Sequence, residues 1–150
     1  MPVIAALLLL PLHNAAAQGK TYGEFKPNYK FSLKVEEVVS AQVAGTFLNP
    51  GKAKKVKIPK GLPKYKKGQK VRFKIGQKGE LIAPGTKIPF KVDGGSSNVY
   101  NKNTKGRYPK TDTAVVYKAN GKATGAALTF IRISGTPFKL KTYTLVYTLD

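Results

Sequence analysis

Twelve basic residues and no acid occupy the twenty-seven positions from Lys52 to Lys78: Lys52, Lys54, Lys55, Lys57, Lys60, Lys64, Lys66, Lys67, Lys70, Arg72, Lys74 and Lys78. Positive charge at this density either repels itself in solution or lies against something negative, so the chemistry it offers is attraction of an anion. The whole chain has 27 Lys and Arg against 7 Asp and Glu, a formal net charge of +20. Only Arg72, Arg107 and Arg132 among those 27 are arginines. Bidentate reading of a guanine edge or a carboxylate is arginine chemistry, whereas lysine acts as a hydrated point charge. The charge therefore suits diffuse attraction to a polyanion: nucleic acid, lipopolysaccharide, acidic polysaccharide or anionic lipid headgroups. Lysine also has an ordinary use, keeping β-rich proteins soluble and their sheet edges unpaired. A surface that is merely solubilised tends to mix signs, and the absence of acids across the block favours a partner.

Other chemistries have few residues to work with. The chain has no Cys, and its one His, His13, lies within the N-terminal segment 1–17, just after an apolar run. Disulfides, thiolate nucleophiles and cysteine metal sites are excluded, and a chain lacking that segment would hold no Ser-His base either. No cofactor or metal is expected. The acids are Glu24, Glu36, Glu37, Glu80, Asp93, Asp112 and Asp150. Glu36 and Glu37 are adjacent, so on a strand they point to opposite faces and cannot act as a pair. Asp93 and Asp112 bracket a long polar stretch, and a hydrolase built on that pair is the least supported reading. The Asp93-Gly94-Gly95-Ser96-Ser97 run has the residue types of an amide nest but lacks a strand–helix context, so a turn is the better account.

The elements that must carry the basic block follow a period of two. In Lys70-Val71-Arg72-Phe73-Lys74-Ile75, the residues Val71, Phe73 and Ile75 share one face and Lys70, Arg72 and Lys74 the other. At a rise of about 3.3 Å per residue the three charges stand about 6.6 Å apart. Lys55 and Lys57 extend a similar row from a short neighbouring strand that stops at Pro59, and the loop adds Lys64, Lys66 and Lys67. Together, Lys55, Lys57, Lys64, Lys66, Lys67, Lys70, Arg72 and Lys74 form the candidate polyanion-binding set, with Tyr65 expected to be exposed among them.

The same period recurs along the chain. Phe31, Leu33 and Val35 alternate with Ser32, Lys34 and Glu36, and Val43–Leu48 reads as a separate strand. Between these two, Glu36–Gln42 is the one window that could host a helical turn. Further short strands are expected at Glu80–Ala83, Lys87–Val92, Thr113–Lys118, Ala127–Ser134 and Phe138–Leu149. Residues 93–111 read as irregular. Asn120-Gly121 is a turn signal, but Lys122–Gly125 reads as extending the loop beyond a tight hairpin. About eight short strands with turn chemistry between them predict an all-β chain, an antiparallel β-sandwich, with an OB-like partly open barrel as the alternative.

At the N-terminus, Val3–Leu12 is a run of ten apolar residues, well short of the roughly 20 needed to span a membrane. Ala15-Ala16-Ala17 follows as a small-x-small cleavage signal, although no Lys or Arg precedes the run. Residues 1–17 are thus expected to be a secretory signal peptide, and 18–150 a single domain that is secreted, periplasmic or held at the cell surface. The leading expectation is a non-enzymatic, lysine-studded β-protein associating with anionic polymers. The alternative is a surface, matrix or filament subunit assembling through strand edges, suggested by the uncharged Thr142–Leu149 stretch.

Overall fold

The computed structural model describes residues 25–45, 49, 51–92, 99–104, 108, 110–136 and 138–150. The expected signal peptide therefore lies outside the described residues, as does Asp93. The described part is all-β, as the period-two pattern predicts. Its strands are β1 (Lys30–Gly45), β2 (Lys54–Lys55), β3 (Lys70–Ile75), β4 (Leu81–Ile82), β5 (Lys91–Val92), β6 (Val99–Thr104), β7 (Lys110–Ala119), β8 (Lys122–Thr136) and β9 (Lys139–Leu149).

The strands follow a single antiparallel path in the order β4-β3-β1-β9-β8-β7-β6-β5, with β2 added to β1. The path curls into a half-barrel, the geometry of an open barrel. This agrees with the open-barrel alternative, and the described strands do not confirm the expected division into two packed sheets. Its ends are tied by one bridge, in which Leu81 and Phe90 exchange backbone hydrogen bonds of 2.9 Å in each direction. A curled sheet of this kind buries one face against itself and leaves few open edges.

β1 makes the curl possible. It is one sixteen-residue strand where two were expected, because the pattern loses phase at a bulge between Val35 and Glu37. Before the bulge Phe31, Leu33 and Val35 are buried; after it Val38, Ser40 and Gln42 take the same face, opposite Tyr147, Leu145 and Tyr143. One extra residue bends the strand and increases its twist. The first half of β1 therefore pairs with β3, while the second half pairs with β9 and β2. The window that resembled a helical turn is this bend.

The interior is filled by alternate residues from every long strand, including Phe73, Ile75, Leu81, Phe90, Leu128, Phe130, Leu145 and Tyr147, all 2% exposed or less. Each such side chain contributes about 1.5–3 kcal/mol of hydrophobic stabilisation. Phe25, Tyr29, Phe31 and Phe73 stack in series, with centroids 5.1–5.5 Å apart along the row.

Two further expectations are corrected. Asn120 and Gly121 form a tight two-residue hairpin after all: Ala119 pairs with Lys122, and both turn residues have positive φ, 51° and 78°. This is type I′ chemistry; the surplus residue is absorbed as a bulge beside Tyr117 and Lys118 rather than in the loop. Within the stretch read as irregular, Val99–Thr104 is strand β6, paired residue for residue with β7. Its polar sequence gives no hydrophobic period, because backbone pairing to β7 defines it.

Candidate polyanion-binding face

β3 presents its charges as the alternation predicts: Val71, Phe73 and Ile75 are buried, Lys70 and Arg72 exposed and Lys74 half-buried. What it faces on β1 was not apparent from the linear block. The register sets Lys30 opposite Lys74, Ser32 opposite Arg72 and Lys34 opposite Lys70. The outward face of this pair of strands therefore holds Lys30, Lys34, Lys70, Arg72 and Lys74, with Ser32 as its sixth position.

The hydrogen bonding brings these side chains close. Val35 N donates to Gln69 O at 2.9 Å and Ile75 N to Tyr29 O at 2.8 Å, so the bonded pairs fall at odd positions of β1. Lys30/Lys74, Ser32/Arg72 and Lys34/Lys70 are then the non-hydrogen-bonded pairs, in which the Cα atoms stand about 4.5 Å apart and the side chains are nearest. Like charges placed directly opposite destabilise a sheet. Among the described residues none of the five cations is in an ion pair, and the salt bridge found there joins Arg132 to Asp112.

A groove of about 500 Å³ runs over this plate, lined by Lys30, Ser32, Arg72 and Lys74, with Ile82 and Pro84 as an apolar wall. Ile82 belongs to β4, opposite Lys74, and is 38% exposed. The groove thus combines a cationic floor with a short apolar rim.

The remaining predicted residues are distributed as follows. Lys66 and Lys67 lie in a turn leading into β3, closed by Gln69 N donating to Lys66 O at 2.9 Å and by Lys66 N donating to Gln69 Oε1 at 3.0 Å. Gly68 N donates to Val35 O at 2.8 Å, so the turn is fastened beside the Lys34/Lys70 end of the plate. Lys64 is exposed just before it. Lys55 lies elsewhere: it pairs with Ala41 of β1, seven residues and up to about 23 Å along the strand from Lys34. Lys57 is exposed in the segment that follows. The structure thus joins Lys70, Arg72 and Lys74 with Lys66 and Lys67, leaves Lys55 and Lys57 apart, and adds Lys30 and Lys34.

Tyr65 is not exposed among the lysines. It is 6% exposed and packs on Tyr147 with ring centroids 4.7 Å apart. Its hydroxyl donates to Pro84 O, while Tyr147 Oη accepts from Tyr65 N at 3.0 Å and donates to Pro63 O. The Lys60–Gly68 loop is therefore a plug, with Leu62 and Tyr65 pointing into the core. Burial pushes both tyrosine hydroxyls above their ordinary range; the neighbouring Tyr147 adds to the effect at Tyr65, and the bond from Tyr65 opposes it at Tyr147. These bonds fix the loop that leads into β3.

The other candidate sites fare differently. Asp112 is 3% exposed and bound by Arg132, whose Nη2 donates to Oδ2 at 3.2 Å while Nη1 donates to Oδ1. Asp93, its proposed catalytic partner, lies outside the described residues. No group of three or more His, Cys, Asp and Glu residues that could hold a metal occurs among the described residues. The Thr142–Leu149 stretch that suggested edge assembly is paired on both sides, by β1 and by β8, so it offers no open edge. No helix of the described residues is long and apolar enough to cross a membrane. Comparison with family models, with curated proteins and with solved structures finds no match to this chain.

Proposed function

We propose that this protein associates with anionic polymers through the outward face of β1 and β3, without catalysing a reaction. The contact set is Lys30, Lys34, Lys70, Arg72 and Lys74, extended by Lys66 and Lys67. One observation carries the reading: Lys30 faces Lys74 and Lys34 faces Lys70 across a non-hydrogen-bonded ladder, and the acid beside them, Asp150, pairs with Lys34 through the backbone on the β9 side without forming a salt bridge to it among the described residues. Such a face costs stability when bare and gains from any row of negative groups laid along it.

The spacing agrees with this. Along each strand the charges repeat at about 6.6 Å, and across the ladder they stand closer, so an extended polyanion can meet several of them at once. With four lysines and one arginine, the face supplies point charges more than a geometric fork, so recognition is weakly sequence-specific and strongly salt-dependent. The apolar run at residues 3–12 supports a reading in which the protein is exported and acts at an envelope, matrix or extracellular polymer.

The test is binding to heparin and to single-stranded DNA over a salt series, comparing Lys30→Glu/Arg72→Glu/Lys74→Glu with a reversal of equal charge at the exposed Lys54, Lys122 and Lys139. The plate variant is expected to bind at least tenfold more weakly at about 0.15 M salt and to show a shallower slope, by about 0.7 per lost contact on the single strand. Equal losses in the two variants would reduce the binding to net charge alone and defeat the proposal.

A further inference from the structure

A second cationic site lies inside the mouth of the half-barrel and shares no residue with the plate. Asp112 of β7 and Arg132 of β8 are in phase with the core residues Ala114 and Phe130, so their ion pair sits on the interior side of the sheet. It forms one wall of a cleft of about 250 Å³. Lys110 and Lys87 stand at its rim, and Ile88, Phe130 and the plug residue Leu62 give it an apolar body. Lys87 and Ile88 come from the connection between β4 and β5, on the far side of the Pro84-Gly85 turn from the groove described above.

Three cations and one acid leave this cleft with a net charge of about +2. A partly buried ion pair in an apolar interior loses much of its Coulomb gain to desolvation and is weak support for stability, so its presence there suggests a role beyond packing. Arg132 is only partly used. Nη1 donates to Asp112 and to Ile131 O at 2.9 Å, and Nη2 gives one bond to Asp112. The Nε–H and the second Nη2–H have no acceptor among the described residues. A cavity at a barrel mouth, with a largely apolar lining and a few convergent polar groups, has the features of a small-molecule site. Its volume lies below the roughly 300–1,000 Å³ of drug-sized sites, so the ligand is small. The Asp112 carboxylate repels a dianion more than a monoanion, which favours a carboxylate over a phosphate.

We propose that the cleft binds a small organic monoanion, a carboxylate on a short apolar body, with its head at Arg132, Lys87 and Lys110 and its body against Ile88 and Phe130. The proposal does not rest on polymer binding. Titration of the isotopically labelled protein with hexanoate tests it, following backbone amide shifts, with hexanamide as the uncharged control and inorganic phosphate as the dianion. Saturable shifts are expected at Lys87, Ile88, Lys110 and Arg132, absent with hexanamide and weaker with phosphate. Lys87→Gln/Lys110→Gln is expected to weaken hexanoate about three- to tenfold. Asp112→Leu/Arg132→Met replaces the pair with apolar residues of similar size, a change that buried pairs often tolerate, and is expected to abolish the saturable shifts in a folded protein. Shifts that do not saturate, that appear equally with hexanamide, that centre on Lys30 and Arg72, or that survive in the folded double variant would overturn the proposal. Reversal of the plate residues leaves hexanoate binding unchanged, which separates the two sites.

Discussion

Two outward faces of the same curled sheet carry opposite chemistry. On β1 and β3 the six positions directed away from the core are Lys30, Ser32, Lys34, Lys70, Arg72 and Lys74. On β7, β8, β9 and the second half of β1, the outward positions include Thr113, Val115, Ala127, Thr129, Thr144, Thr148, Val146 and Val39, all uncharged, and the acid Glu37 opposite Thr148, with no lysine or arginine among them. Val115, Ala127 and Val146 there are only 2–6% exposed, although they point away from the main core cluster. Burial accounts for the lack of lysine at those three positions, since an unpaired ammonium there would have to be desolvated. The exposed cationic face of β1 and β3 is thus set apart from a face that is uncharged at its centre and largely shut off from water.

The largest effect is expected from erasing this contrast in the uncharged direction. Val146→Lys puts an ammonium where Val39 and Thr129 flank the side chain and 2% of the surface is open. The charge must be desolvated or the strand displaced, at a cost of about 3 kcal/mol or more. Urea unfolding reads the loss directly. A cost below about 1 kcal/mol would mean that the face is open to water and that the contrast is one of composition only.

A smaller effect tests whether the plate depends on the plug beneath it. Tyr147→Phe removes the hydroxyl that serves both Tyr65 N and Pro63 O, leaving a buried donor and acceptor without their partner, at about 1–3 kcal/mol. Polymer binding should weaken only in proportion to disorder of the Lys64–Lys70 segment, whereas charge reversal weakens binding in a stable fold. The same tyrosines give a pH signature. Burial raises the hydroxyls of Tyr65 and Tyr147 above their ordinary value of 10. Above pH 10 the unfolded chain releases these protons while the folded one retains them, so stability is full below pH 10 and falls as pH rises. The slope is at most about 1.4 kcal/mol per pH unit for each tyrosine. Tyr147→Phe should flatten the decline, and an unchanged alkaline limb would remove Tyr147 from it.

The strand pattern of β3 could be read from Val71, Phe73 and Ile75 because period two survives there without interruption. The pattern of β1 could not, since a single bulge at Val35/Glu37 reverses which residues face inward and makes one bent strand look like two. The plate was half legible for a related reason. Lys70, Arg72 and Lys74 are neighbours in the chain, but Lys30 and Lys34 reach them through a register some forty residues away, and pairing partners are not encoded locally. Tyr65 was misplaced because its surroundings in sequence are lysines, whereas its surroundings in space are Tyr147, Pro63 and Pro84. The Asp112–Arg132 pair was hidden in the same way, being twenty residues apart and brought together by the β7–β8 hairpin.

The smallest effect sharpens the comparison most. Lys70→Glu turns the Lys34/Lys70 like-charge pair into an opposite-charge pair on an exposed, non-hydrogen-bonded site, away from Asp150, which pairs with Lys34 through the backbone on the β9 side. The expected gain in stability is about 0.2–1 kcal/mol at low salt. It should vanish near 1 M salt, where the screening length falls to about 3 Å. Lys64→Glu, an equal charge change outside the ladder, should give less. If the plate is kept cationic for binding, Lys70→Glu will be more stable than the parent and bind polymer less well, a trade expected where a surface is held against its own stability for function. A variant equal to the parent in both respects would show the facing lysines splaying into water at no cost, and the opposed pairs would then carry no argument for an anionic partner.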